Sequence, residues 1–255
     1  MKGVSNLRAD SNTQVRDDRQ PSKGPPRHQR NARGQGARLT EDIVSGALAL
    51  IEREGTDEAV TLRAVAREVG IAAPSIYAHF PDRAAIVLAV VARLFDELAD
   101  AISQELDAAG DDPVERLVAG CEAYVAFGLE RPARYQVLFS EKRLRHDDSW
   151  KDYCKPVSFG PEGRPVFELG AETFALLVDS LSACIEAGRS TSTDAFADST
   201  AIWVALHGTV SLKAGSPGFP WPDSDDFVRQ LVLRLACVTP MPRPELAPVT
   251  VEPPA

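Results

Sequence analysis

The side chains with the most chemistry to offer lie between Thr61 and Arg83, in TLRAVAREVGIAAPSIYAHFPDR. Thr61 carries a hydroxyl that can cap a helix and reach a phosphate at once. Ala72, Ala73, Pro74 and Ser75 are small, so a helix opening on them can approach base edges and thymine methyls closely while making few bidentate contacts. Gly70 stands where the chain must reverse between two short helical patterns. A tight turn with apolar anchors on both sides is what a helix-turn-helix needs, and its second helix can then enter the major groove.

The rest of the chain points away from catalysis. It holds no G-x-S-x-G, no phosphate loop, no dinucleotide fingerprint and no paired metal ligands, so no enzyme, cofactor or metal site is expected. The four cysteines are scattered without a C-x-x-C. Cys121, Cys184 and Cys237 fall on helical patterns and read as small core hydrophobes, while Cys154 falls in a loop.

The 255 residues, 44% hydrophobic and 25% charged, suffice for one or two domains with a sizeable core. No apolar run reaches the roughly 18–20 residues of a membrane span, and the polar N-terminus has no signal-peptide core. The reading is a soluble, cytoplasmic protein. The net charge of −9 is unevenly spread: residues 1–38 carry nine Lys/Arg and three Asp, residues 39–83 are net −4, and the remainder is net −11. A basic arm ahead of an acidic body suits a chain that meets a polyanion at one end only.

Residues 1–38 and the proline-rich stretch 240–255 are expected to be disordered. Between them the spacing is helical throughout and predicts an all-α fold. A first helix starts near Thr40 as N-cap and ends at Gly55, burying Ile43, Val44, Ala47, Leu48, Leu50 and Ile51. A second runs from Thr61 to Gly70. A third holds Pro74 in its first turn and turns Ile76 and Phe80 inward. A long helix follows from Pro81-Asp82 to Gly110. Asp112-Pro113 opens another, which Pro132 breaks before an apolar turn through Tyr135 to Phe139. Residues 144–165 read as a long loop. Helices near 167–187, 194–213 and 223–238 complete the pattern.

The stretch from Leu39 to Val87 resembles the N-terminal domain of the TetR family. The resemblance rests on the apolar first helix, Gly55, Thr61, the Ala66–Gly70 spacing, Ser75, Tyr77 and Phe80 in combination. It implies a three-helix DNA-binding domain at 39–84 and a C-terminal helical bundle for ligand binding and dimerisation at 85–239. The implied partners are a double-stranded DNA operator, a small-molecule effector and a second copy of the chain; no membrane is involved. It also implies roles for residues. Arg63 matches a position that reads guanine in some members, with a phosphate contact or plain surface charge also open to it. Tyr77 matches a phosphate contact, as does His79, for which a core role is equally open. Arg83 stands where the family usually has Lys and keeps the charge for a phosphate, with different geometry. Arg27, Arg30, Arg33 and Arg38 either enter an adjacent minor groove or form a non-specific polyelectrolyte tail.

In the C-terminal half, Trp203, His207 and Gly208 form a W-x-x-x-H-G pattern that resembles the Trp-His-Gly type of C-terminal domain in this family. Trp203 and His207 share a helix face. Gly208 costs helix stability and suggests close packing against another helix. The family holds an effector among these helices. The residues for its lining are Tyr124, Phe127, Phe139, Trp150, Phe174, Trp203 and His207, with the loop at Trp150 and Tyr153 as a lid. The resulting expectation is a ligand-released repressor of a pseudo-palindromic operator. The alternative is an activator or architectural helix-turn-helix protein without an effector.

Overall fold

The computed structural model describes residues 35–139, 158–159, 165–166, 169–222 and 224–239. The arm through residue 34, Trp150, Tyr153, Cys154 and the 240–255 tail lie outside the described residues.

Helix α1 runs Gln35–Glu54, beginning five residues before Thr40. Thr40 is no cap: its hydroxyl donates to the Gly36 carbonyl one turn back, at 3.1 Å, so the helix passes through it. Residues 35–38 are therefore helix rather than arm. The α1 stripe read from the sequence is buried in full. A 3₁₀ turn at Asp57–Ala59 leads to α2, Leu62–Val69. Helix α3 is only Ala73–Ile76, shorter than the spacing predicts. Beyond it the chain continues as a turn in which the amides of both His79 and Phe80 bond to the Ile76 carbonyl.

Helix α4, Arg83–Ala108, is capped by Asp82, whose carboxylate accepts from the Ala85 amide. It packs against α1 on one side of the molecule and against α5, Pro113–Glu130, on the other. Asp112 caps α5 through the Val114 and Glu115 amides. Pro132 does not simply break this helix. It opens a separate helix α6, Pro132–Leu138, because its fixed φ suits a first turn. The expected apolar turn is therefore helical.

Helices α7, Ala171–Glu186, and α8, Ala195–Gly215, pack against each other and against α5. The start of α7 falls four residues later than the spacing predicts, because Gly170 takes a left-handed conformation (φ 76°) and turns the chain into it. A last helix α9, Ser224–Leu235, lies on α5 and α8. Cys237 falls past its end, exposed, and is not a core residue; Cys121 and Cys184 are buried as expected. The described part of the long loop holds one short antiparallel pair, Ser158–Phe159 against Pro165–Val166.

Helix α5 is the centre of the larger unit, with buried residues on every side. Its approach to α6 and α8 depends on Gly128. A Cβ there would lie 2.6 Å from Val210 Cγ1 and 2.9 Å from Tyr135 Cδ2. The architecture is all-α: a small N-terminal helix-turn-helix unit on a larger bundle of helices.

Candidate nucleic-acid interface and effector core

Thr61 caps α2 by accepting from the Ala64 amide at 3.1 Å. That bond uses an oxygen lone pair and leaves the hydroxyl proton for an outside acceptor. Gly70 then ends α2 in the left-handed region (φ 73°, ψ 30°), where residues with a Cβ are strained. The Ile71 amide closes the turn on the Ala66 carbonyl at 2.9 Å. Ile76, fully buried, and Phe80, 7% exposed, anchor the next segment to the core.

This anchoring leaves one outer face. Thr61, Arg63, Ala72, Pro74 and Ser75 are exposed, Ala73 is half-buried, and Tyr77 is 62% exposed despite its size. A large aromatic held outward by its buried neighbour Ile76 is a side chain with an external use.

His79 and Arg83 are more constrained. The His79 Nδ1 lies 2.9 Å from the Thr40 hydroxyl oxygen. With the single Thr40 proton given to Gly36, Nδ1–H donates to Thr40 and Nε2 faces outward as an acceptor in the neutral ring. Contact with a phosphate through Nε2 then needs the protonated ring. Arg83 donates from Nε to the Val60 carbonyl at 2.8 Å and from Nη2 to the Asp57 carbonyl at 2.6 Å, with the Asp57 carboxylate 3.6 Å away. It therefore ties the first turn of α4 to the loop ahead of α2, and Nη1 is the nitrogen left to meet a phosphate.

A second constellation sits in the larger bundle. The Tyr124 and Tyr135 hydroxyls are 2.9 Å apart, and Tyr135 lies 2.7 Å from His207 Nδ1. Phe139 meets His207 edge-on at 4.8 Å between centroids and Trp203 at 6.4 Å, and Phe174 meets Trp203 at 6.2 Å. Five lining residues read from the sequence thus join one aromatic group: Tyr124, Phe139, Phe174, Trp203 and His207. Phe127 does not. It is buried elsewhere, with the Arg131 guanidinium 5.1 Å above its ring.

Tyr135 lies at the middle of this group, yet the sequence reading left it in an apolar turn. Its place follows from the helix that Pro132 starts, which sets Tyr135 and Phe139 one turn apart; their rings are 4.8 Å apart. Tyr124 also bounds a cavity of about 30 Å³ with Ile102, Leu117, Cys121, Leu177 and Leu206, and no charged residue lines it.

Burial pushes the Tyr124 phenol up to about 12 and raises Tyr135 further, so both hydroxyls stay protonated donors. Burial also holds the His207 imidazole below its ordinary value of 6.5, which favours the neutral ring. As pH falls, the unfolded chain takes up this proton before the folded one. The stability that depends on neutral His207 is therefore whole above about pH 6.5 and drains as pH falls through the folded value. His207→Gln is expected to flatten the fall in thermal midpoint between about pH 7 and pH 5. An unchanged pH slope in that variant would show that other groups carry it.

Comparison with known proteins agrees with this layout. Residues 43–90 match the family described as bacterial regulatory proteins, tetR family, and residues 117–235 match tetracyclin repressor-like, C-terminal domain. The second match is consistent with the Trp-His-Gly resemblance. The HTH-type transcriptional regulator Rv0681 of Mycobacterium tuberculosis is 28% identical over 206 residues, covering 77% of this chain and 79% of the relative. The fold is shared with the transcriptional regulator FadR of Bacillus subtilis, solved with stearoyl-CoA, at a TM-score of 0.59 and 14% identity, over 77% of this chain and 97% of that one. It is shared too with RolR, solved with resorcinol, at a TM-score of 0.56 and 19% identity, over 80% and 90%. With the helix-turn-helix inside one matched region and the aromatic group mostly inside the other, the chain belongs to the TetR family of DNA-binding, helix-turn-helix transcriptional regulators.

Proposed function

We propose that the chain acts in the cytoplasm as a homodimeric repressor that binds a pseudo-palindromic operator and is released by a small neutral effector. The outer face around Tyr77 carries this reading. Thr61, Tyr77, His79 and Arg83 Nη1 meet phosphates, Arg63 reads a base or a phosphate, and Ala72, Ala73, Pro74 and Ser75 pass close to base edges. The DNA-binding unit is 39–84, extended back to Gln35, and 85–239 is the effector and dimer unit. The chain is a binding protein rather than a catalyst. Among the described residues no helix is long and apolar enough to cross a membrane, and no His/Cys/Asp/Glu group could hold a metal ion.

Dimerisation is supported by an apolar outer face on α8. Trp203 is 37% exposed, Val204 59% and Leu212 58%. Gly208 was expected to mark close packing, but nothing within the protomer comes within 4 Å of a Cβ placed there. The helix that a glycine lets approach is then a second copy's. A two-fold pair sets the two α3 elements about 34–36 Å apart, one DNA turn.

The effector reading draws on the aromatic group and on the ligands bound by FadR and RolR. The 30 Å³ cavity holds little more than a water. A ligand site of about 300–1,000 Å³ requires the group around Tyr135 to part. Helix α6 carries the consequence. Arg134, beside Tyr135, pairs with Glu97 on α4 and donates to Glu52 on α1 at 2.7 Å. An effector that displaces Tyr135 therefore pulls on the tie to the DNA-binding unit and shifts the population off DNA.

The test is operator binding by anisotropy in the presence of a panel of small phenols and fatty acyl compounds. A compound that raises the thermal midpoint and releases the duplex supports the reading. If none of them does either, the alternative without an effector is favoured. Arg134→Gln is expected to cost about 1 kcal/mol of stability, since its pairs are partly solvated, and to reduce the shift in operator affinity that such a compound produces. An undiminished shift would place the coupling elsewhere.

A further inference from the structure

The structure places the start of α1 at the edge of the surface that reads DNA. α1 begins at Gln35. A Cβ at Gly36 would lie 3.9 Å from His79 Cε1, and Thr40 is hydrogen-bonded to the same ring. His79 is in the turn that immediately follows α3 and Tyr77. The chain ahead of Gln35 therefore leaves the fold beside the end of the recognition element, not from the far side of the domain.

The sequence on that side is sharply patterned. Residues 19–38 hold six Lys/Arg and no acidic residue, and all three acidic residues of the first 38 lie farther out, at Asp10, Asp17 and Asp18. The charge is concentrated next to the exit point. A helix seated in the major groove has the sugar-phosphate ridge beside it, and the neighbouring minor groove lies about half a turn away, roughly 17 Å. Fully extended, a chain reaches about 3.3 Å per residue, so Arg33, Arg30 and Arg27 can reach roughly 10, 20 and 30 Å from Gly36. That range spans the ridge and enters the groove beyond it.

We infer that Arg27, Arg30 and Arg33 occupy the minor groove next to each half-site, so that each protomer reads the flank of its operator as well as its centre. Resting on the DNA-binding reading, this inference adds a second contact outside the helix-turn-helix. The minor groove distinguishes A·T from G·C by the guanine 2-amino group. Inosine·cytosine pairs lack that group while keeping the G·C major-groove pattern.

The experiment uses the full chain and the same chain carrying Arg27→Gln, Arg30→Gln and Arg33→Gln. The duplex is one recovered by the unmodified chain from a random pool, rebuilt with A·T, I·C or G·C flanks. The unmodified chain is expected to bind A·T and I·C flanks alike and G·C flanks about 5- to 10-fold more weakly, within the usual discrimination per contacted pair. The triple variant is expected to lose that preference. Its slope of log affinity against log salt should fall by about 0.9 for each phosphate charge no longer neutralised. A fall in slope with no flank preference in either protein would make the arm a diffuse polyelectrolyte and overturn the minor-groove assignment. An unchanged slope would take the arm off the duplex altogether and overturn it too. If the unmodified chain recovers no duplex at all, the DNA-binding reading itself fails, a result separable from the other two.

Discussion

Arg63→Ala and Tyr77→Ala, made separately, are each expected to weaken operator binding by about 5- to 100-fold while leaving the thermal midpoint nearly unchanged. Both side chains are exposed, Tyr77 by 62%, and neither supports the core. Surface changes of this kind usually cost under about 0.5 kcal/mol of stability. The anchors that set the local geometry are instead Ile76 and Phe80. Arg63→Lys separates the two roles open to Arg63. A phosphate contact survives in lysine, so affinity and salt slope are largely kept. A bidentate contact to guanine does not survive, so discrimination at one base pair of each half-site is relaxed. If Tyr77→Ala bound as tightly as the unmodified chain, the outer face would not be the reading surface.

The second large effect lies in the bundle. Gly128→Ala is expected to destabilise the protein by about 1–3 kcal/mol, the cost of forcing extra volume into a packed core. The new methyl would meet both methyls of Val210, at 2.6 and 2.9 Å, and the Tyr135 ring at 2.9 Å. For a chain of this size that loss lowers the thermal midpoint by roughly 2–4 °C per kcal/mol. Val210→Ala removes two of the three clashes, so the double variant should recover much of the loss, and their effects should not add. Additive losses would mean that α5 and α8 separate at this point without cost. Because Tyr135 is one of the displaced groups, Gly128→Ala should also loosen the Tyr124–Tyr135–His207 chain and bring α6 with it.

The elements legible in the sequence were those set by local rules. The α1 stripe, the Gly70 turn, the Asp112-Pro113 start and the buried positions of α4 follow from periodicity and capping, and the structure contains them. The start of α1 was misread because Thr40 resembles an N-cap. What decides its role is His79, 39 residues away, together with the helical carbonyl of Gly36. Arg83 has the charge that suits a phosphate, but two of its donors answer carbonyls that only the fold brings near. Tyr135 and Arg134 were missed for the same reason. Their roles depend on α1, α4, α5 and α8 converging on one seven-residue helix. Phe127, an equally good aromatic in the sequence, faces Arg131 instead.

The central claim is that the exposed face around Tyr77 reads DNA in a two-fold pair. Selection of duplexes from a random pool by the full chain tests it most directly, with Tyr77→Ala run in parallel. The predicted result is enrichment of an inverted repeat whose half-site centres lie about one helical turn apart, lost in the variant. A pool that stays random, or an enriched sequence that the variant recovers equally well, would contradict the account.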